Sequence, residues 1–129
     1  EKSGYKTVSA PNVATYNGWT FAPVYRTNNG ASNFYVDVPN VSTWTLGFDY
    51  VPPRGTKVMT HRGWGAFWTT VNMPAAGRYE LTFKTCPRVG YTGGEVVVSL
   101  CRDGVTNVVA RLHPYSTNGF RMQRVLLRR

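Results

Sequence analysis

An aromatic residue between two glycines, preceded by two polar donors, has the composition of a sugar-holding loop. His61-Arg62-Gly63-Trp64-Gly65 is such a stretch. A pyranose ring presents a flat C–H face that stacks on an exposed indole or phenol, and hydroxyls that seek Arg, Asn or His partners. Trp64 is the candidate stacking ring here, with His61 and Arg62 as donors. Arg88 and Tyr91, in Arg88-Val89-Gly90-Tyr91, repeat the combination, and Tyr115 with Asn118 forms a third after His113-Pro114. Each has a plainer structural reading as well: Trp64 as a plug over the core, Tyr91 as a packing residue, His61 as an ordinary exposed histidine.

Catalytic chemistry is harder to assemble. Glycoside hydrolysis needs two carboxyl groups flanking the scissile bond, and the chain has six acids in all. Glu80 and Glu95 fall on polar faces of expected strands, Asp103 in a turn and Glu1 at the terminus. That leaves Asp37 and Asp49, with no motif around them. Two histidines, His61 and His113, are present, but no nucleophile elbow, no cysteine–histidine signature and no phosphate-binding glycine loop accompanies them. Cys86 and Cys101 are the only cysteines; their spacing is not that of a zinc site, and they read either as one disulfide or as two free thiols. The chain reads as a non-enzyme with no cofactor.

The 129 residues, 42% hydrophobic and 14% aromatic, suit one folded domain rather than a disordered tail. No apolar run approaches the roughly 20 residues that span a bilayer. The chain opens on Glu1 with no visible signal peptide, which fits a mature or excised piece of a larger protein. Fifteen Lys and Arg against six Asp and Glu give a net charge of +9, a field that attracts polyanions. The basic residues are scattered along the chain, and the densest run is Arg121, Arg124, Arg128 and Arg129.

The elements that would position the candidate residues are strands. Residues 1–17 read as an irregular arm or opening strand. Trp19-Thr20-Phe21 begins a strand, Asn28-Asn29-Gly30 is a turn, and Phe34–Val38 and Trp44–Phe48 are strand-like. Pro52-Pro53-Arg54-Gly55 breaks the chain before a short strand at Lys57–Thr60. The central block, Gly63 to Gly104, is expected to hold the core. Within it lie strands at Ala66–Met73, Arg78–Cys86 and Glu95–Arg102, a hairpin turn at Pro74–Gly77 and a tight turn at Asp103-Gly104. Tyr79, Leu81 and Phe83 alternate as core positions, and Trp19, Trp44 and Trp68 are assigned to the core because they sit inside strand patterns. Val105–Leu112 and Phe120–Leu127 complete the set. Eight or nine short strands, with no helical period, predict an all-β antiparallel β-sandwich or jelly roll over residues 1–129.

The order of these motifs resembles the galactose-binding-domain-like jelly rolls. The residues that carry it are GWTF (18–21), PPRGTKVM (52–59), WTTVNMPAAGRYELTFKTCPRVGY (68–91) and VVVSLCRDG (96–104), with the final Phe-led strand after them. The resemblance implies a lectin-like carbohydrate-binding module of a secreted or cell-surface protein. Residues 1–17 show no clear copy of the family's leading strand. Many such jelly rolls hold a structural calcium through an acid near the C-terminus, where this chain has Leu126-Leu127-Arg128-Arg129. A calcium cage needs several oxygen ligands, so none is expected unless Asp37, Asp49 or Asp103 contributes.

The expected function is therefore non-catalytic binding of a glycan or polysaccharide, with the charge adding a preference for acidic or sulfated chains. A protein-interaction or structural sandwich within a larger assembly is the alternative. A basic single-stranded nucleic-acid binder is less favoured, because no recognised binding motif appears.

Overall fold

The structure, a computed structural model, describes residues 5–25, 32–39, 57–87, 94–114 and 120–129. These residues are all-β: ten strands, paired antiparallel throughout, and no helix among them. The strands are β1 (Lys6–Ser9), β2 (Ala14–Tyr16), β3 (Trp19–Val24), β4 (Asn33–Pro39), β5 (Lys57–Arg62), β6 (Trp64–Trp68), β7 (Arg78–Thr85), β8 (Val96–Arg102), β9 (Val105–Leu112) and β10 (Arg121–Arg128). Chain contacts divide them into two compact units, one built from residues 1–41 and 54–72, the other from 42–53 and 73–129.

In the first unit, β1-β4-β5 form one three-stranded sheet and β2-β3-β6 another. The two meet through a buried cluster of Val8 from β1, Phe21 from β3, and Phe34 and Val36 from β4. Ala14, Tyr16 and Met59 pack against its edge. This arrangement is consistent with a β-sandwich. In β4, Phe34, Val36 and Val38 are buried while their neighbours are not, the period-2 pattern of a half-buried strand. The pairing with β5 shifts register between Tyr35 and Val38. Asp37, inside that irregularity, has φ of 61°, and its carboxylate accepts two hydrogen bonds from the Asn17 amide at 3.1 and 3.2 Å. Asp tolerates this left-handed conformation better than most residues.

Residues 1–17, expected as an irregular arm or opening strand, contain two strands, and Val8 within them is only 2% exposed. The tie is the Asn17-Gly18 turn between β2 and β3, where both residues have positive φ, 54° and 80°. That backbone twist matches the right-handed twist of the flanking strands, which is why Asn-Gly closes two-residue hairpins.

In the second unit, β7 pairs with β10 and β8 with β9. Asp103 and Gly104, with φ of 53° and 78°, form the tight turn between β8 and β9 expected there. Two other expectations are corrected. The buried cluster is built from Val8, Phe21, Phe34 and Val36, all outside the central block, while Leu81 is 37% exposed and Tyr79 and Phe83 are only half-buried. Pro74–Gly77 is also not a hairpin turn. It connects β6 to β7, and these strands pair with β3 and β10 instead. The turn is held locally by Tyr79, whose hydroxyl donates to the Ala75 carbonyl at 2.7 Å. The expected turn at 28–30 and break at 52–55, the strand at 44–48 and Trp44 lie outside the described residues.

Gly65 is where the first unit has no room. A Cβ there would sit 2.8 Å from the Ala22 carbonyl oxygen, 2.8 Å from the Pro23 Cα and 3.1 Å from the Phe34 ring. Two of these are backbone atoms that cannot swing aside. Gly65→Ala is expected to destabilise the fold by about 2 kcal/mol or more, read as a lower urea midpoint at unchanged slope. Gly94→Ala, where a Cβ meets nothing within 4 Å, should leave the midpoint in place. Equal midpoints for the two variants would show that β3 and β6 do not approach so closely.

Candidate functional site

The segment His61–Gly65 turns the chain from the edge of one sheet to the edge of the other. β5 is the outer strand of β1-β4-β5, and β6 is the outer strand of β2-β3-β6. The corner between them is Gly63, with φ of 85°, a conformation that costs glycine nothing and other residues about 1 kcal/mol or more. Ser32, fully buried just before β4, anchors the chain beyond the corner. Its hydroxyl oxygen accepts the Trp64 backbone N–H at 2.8 Å, and its carbonyl accepts the Ala10 N–H at 3.0 Å.

The three described candidates leave this corner in different directions. His61 is opposite Phe34 in the ladder, and its ring lies flat on the Phe34 ring, 3.9 Å between centroids and 9° between planes. One face of the imidazole is therefore covered by Phe34, while the residue as a whole stays exposed to solvent. Burial of the ring holds its pKa below the ordinary 6.5, and a backbone hydrogen bond with Trp64 offsets part of that effect. Arg62 pairs with Asn33 on the opposite pleat and is exposed. Trp64, beyond the corner, is 56% exposed. Arg88, Tyr91, Tyr115 and Asn118 lie outside the described residues.

Strand β6 adds a residue that its strand pattern alone assigns to the core. By pleat alternation, Gly65 and Phe67 share one face of β6, and Trp64, Ala66 and Trp68 the other. Phe67 lies on the Phe34 side, 5.9 Å from Phe34 and 6.0 Å from Phe21 between ring centroids, although it is itself 41% exposed. Trp64 and Trp68 therefore point outward together, and Trp68 is 50% exposed. This corrects its assignment to the core. Four residues of strand separate them by about 13 Å. Between them lie Ala66 and its ladder partner Ala22, and beside them Val24 and Thr20. The result is a low apolar floor with an indole at each end. Trp19, also assigned to the core, belongs to the opposite face, where its ring stands 5.5 Å from Phe67 at a tilt, but it is 40% exposed and outside the buried cluster.

Titratable groups are otherwise dispersed. Among the described residues, no three of His, Cys, Asp and Glu come close enough to hold a metal ion. Cys86 and Cys101 are free thiols; burial pushes the Cys86 thiol up, and its sulfur donates to the Pro87 carbonyl at 3.2 Å. Glu95 sits 3.0 Å from Arg111 and 3.6 Å from His113. No helix among the described residues is long and apolar enough to cross a membrane.

The chain matches no protein-family model, no curated protein and no solved structure. The galactose-binding-like resemblance thus rests on its motifs alone.

The stacked His61 generates a pH prediction. An imidazole with a lowered pKa binds fewer protons folded than unfolded, so its contribution is complete above about pH 6.5 and shrinks as pH falls through the folded value. The melting temperature should drop between about pH 7.5 and about pH 5 by more in the wild type than in His61→Gln. A matching NMR titration should place the His61 midpoint below 6.5. A midpoint at or above that value, with identical pH profiles for the two chains, would contradict the stacked, core-covered ring.

Proposed function

We propose that this chain is a non-catalytic glycan-binding module with a galactose-binding-like jelly-roll fold, drawn from a secreted or cell-surface protein. The observation that carries the reading is the outward pair Trp64 and Trp68. An exposed indole desolvates well against the C–H face of a pyranose and poorly against nothing, so two on one flat sheet face call for a flat, weakly polar partner. A spacing of about 13 Å places the two rings under separate sugars of one extended chain rather than around a single residue. Rigidity supports the same reading. The Ser32 hydrogen bond holds the Trp64 backbone, and Phe67 rests against Phe21 and Phe34, so little freedom is lost on binding. Arg62 lies on the pleat of β5 opposite His61, in the other sheet, so it is not part of this platform, and His61 serves chiefly as packing against Phe34.

This reading retains a stacking role for Trp64, reassigns His61 from donor to support, and adds Trp68. A docking role toward protein is the alternative, because the same platform also suits an apolar protein surface. A glycan array read at two salt concentrations separates the two. Retention of particular sugars that persists in added salt supports stacking, and no retention on any glycan supports the docking role.

Trp64→Ala and Trp68→Ala should each lower retention on the recognised glycan about tenfold or more, with melting temperatures within about 3 °C of wild type. A Trp64 variant that unfolds would return that ring to the core. A normally folded variant that binds every glycan as before would remove the platform from the function.

A further inference from the structure

Four of the fifteen basic residues come together on one face of the β7–β10 ribbon. The ladder sets Arg78 opposite Arg128, Glu80 opposite Leu126, Thr82 opposite Arg124 and Lys84 opposite Met122. Directly opposed residues share a face, and all eight of these are exposed. The alternate face carries Tyr79, Leu81, Phe83, Val125 and Leu127, with Thr85, Gln123 and one cation, Arg121, toward its far end. The exposed face thus holds four cations and one carboxylate. Glu80 lies 3.4 Å from Arg124, while Arg78, Lys84 and Arg128 have no acidic partner among the described residues.

Two details set this face apart from a surface that is merely basic. Arg78 and Arg128 are placed directly across the ladder from one another, a like-charge pairing that costs stability unless an anion sits between them. The cations also run the length of the ribbon, from the Arg78–Arg128 pair to Lys84 about 20 Å away. Between them Leu126 is 76% exposed and Met122 is 48% exposed. The face alternates charge with apolar surface along one axis.

We infer that the exposed face of the β7–β10 ribbon is a docking surface for a sulfated polysaccharide chain. Guanidinium groups match the oxygens of tetrahedral oxyanions with paired hydrogen bonds, and Leu126 and Met122 lie under the C–H faces of the sugars that carry them. Nucleic acid fits less well. The face has no aromatic ring on which a base can stack, and no Asn or Gln that reads a base edge. The inference rests on the glycan-binding reading but uses residues of the second unit, none of which belongs to the Trp64–Trp68 platform, so the failure of one site is told apart from the failure of the other.

The test is binding to heparin, with de-sulfated heparin and duplex DNA as competitors. Arg78→Gln combined with Arg128→Gln is compared with Arg102→Gln combined with Arg111→Gln, so each variant carries two charges fewer than the wild-type +9. All four residues are exposed, and the first variant removes a like-charge pair, so it should melt no lower than wild type. Heparin affinity is expected to fall about tenfold in the first variant, with its salt slope reduced by about two, and less than twofold in the second. De-sulfated heparin and duplex DNA should compete weakly. Equal losses in both variants would mean that net charge alone is at work. Unchanged binding in the first variant, or effective competition by de-sulfated heparin, would remove the sulfate site. Duplex DNA competing as well as heparin would make the face a nucleic-acid surface. Trp64→Ala should leave heparin binding intact; if it abolishes both neutral and sulfated binding, the two surfaces are not separate.

Discussion

The enclosed ring of Phe34 is the contact on which the first unit depends. It has no exposed surface. Phe21 stands 5.4 Å away across the sandwich, Phe67 meets it edge-on, and His61 covers it flat. The same ring, with the Ala22 carbonyl and the Pro23 Cα still nearer, leaves no room for a side chain at Gly65. These neighbours come from β3, β5 and β6, so one side chain from β4 couples strands of both sheets. Removing a fully buried phenylalanine typically costs about 3–5 kcal/mol, a large share of the stability of a small domain. The direction of Trp64 and Trp68 follows from this contact, since Gly65 and Phe67 on the Phe34 side leave Trp64, Ala66 and Trp68, which alternate with them, on the other face.

The second unit works on a different principle. Its ribbons expose much of their apolar surface, and the one buried strand side chain among its described residues is Val125. Ladder pairing rather than enclosure organises it: the register between β7 and β10 decides which side chains share a face. A slip of one residue would exchange the faces and scatter Arg124 and Arg128 away from Arg78 and Lys84. Register is held at the open end by Gly77 and Arg129, which exchange backbone hydrogen bonds at 2.9 and 3.2 Å. The two candidate binding surfaces of the chain thus arise from two separate causes, packing in one unit and pairing in the other.

Strands with a plain alternation or a β-branched run are legible in the sequence: β7, β8 and β9 begin and end within a residue of where alternation and turn signals put them. The Asp103-Gly104 turn is readable from the same chemistry that places Asn17-Gly18, yet the second escapes notice. The strands that precede it, Lys6–Ser9 and Ala14–Tyr16, are too short and polar to show a period. The location of the core is not legible, because the longest alternating strands are those whose apolar faces stay partly open. Trp68 is easily misassigned although its parity with Trp64 is visible in Trp64-Gly65-Ala66-Phe67-Trp68. What decides the matter is which face Phe67 takes, and that is set by Phe34, distant in sequence. The basic face is hidden for the same reason, since it exists only once β10 pairs with β7.

The central claim is that Trp64 and Trp68 are an outward platform covered by a sugar chain. Acrylamide quenching of tryptophan fluorescence, with and without the best-retained neutral glycan, tests it most directly. The account predicts that the bound glycan lowers the quenching of wild type and blue-shifts its emission, and that a chain carrying Trp64→Phe and Trp68→Phe shows neither change. Quenching that no glycan alters, or protection that is equal in the two chains, would contradict it.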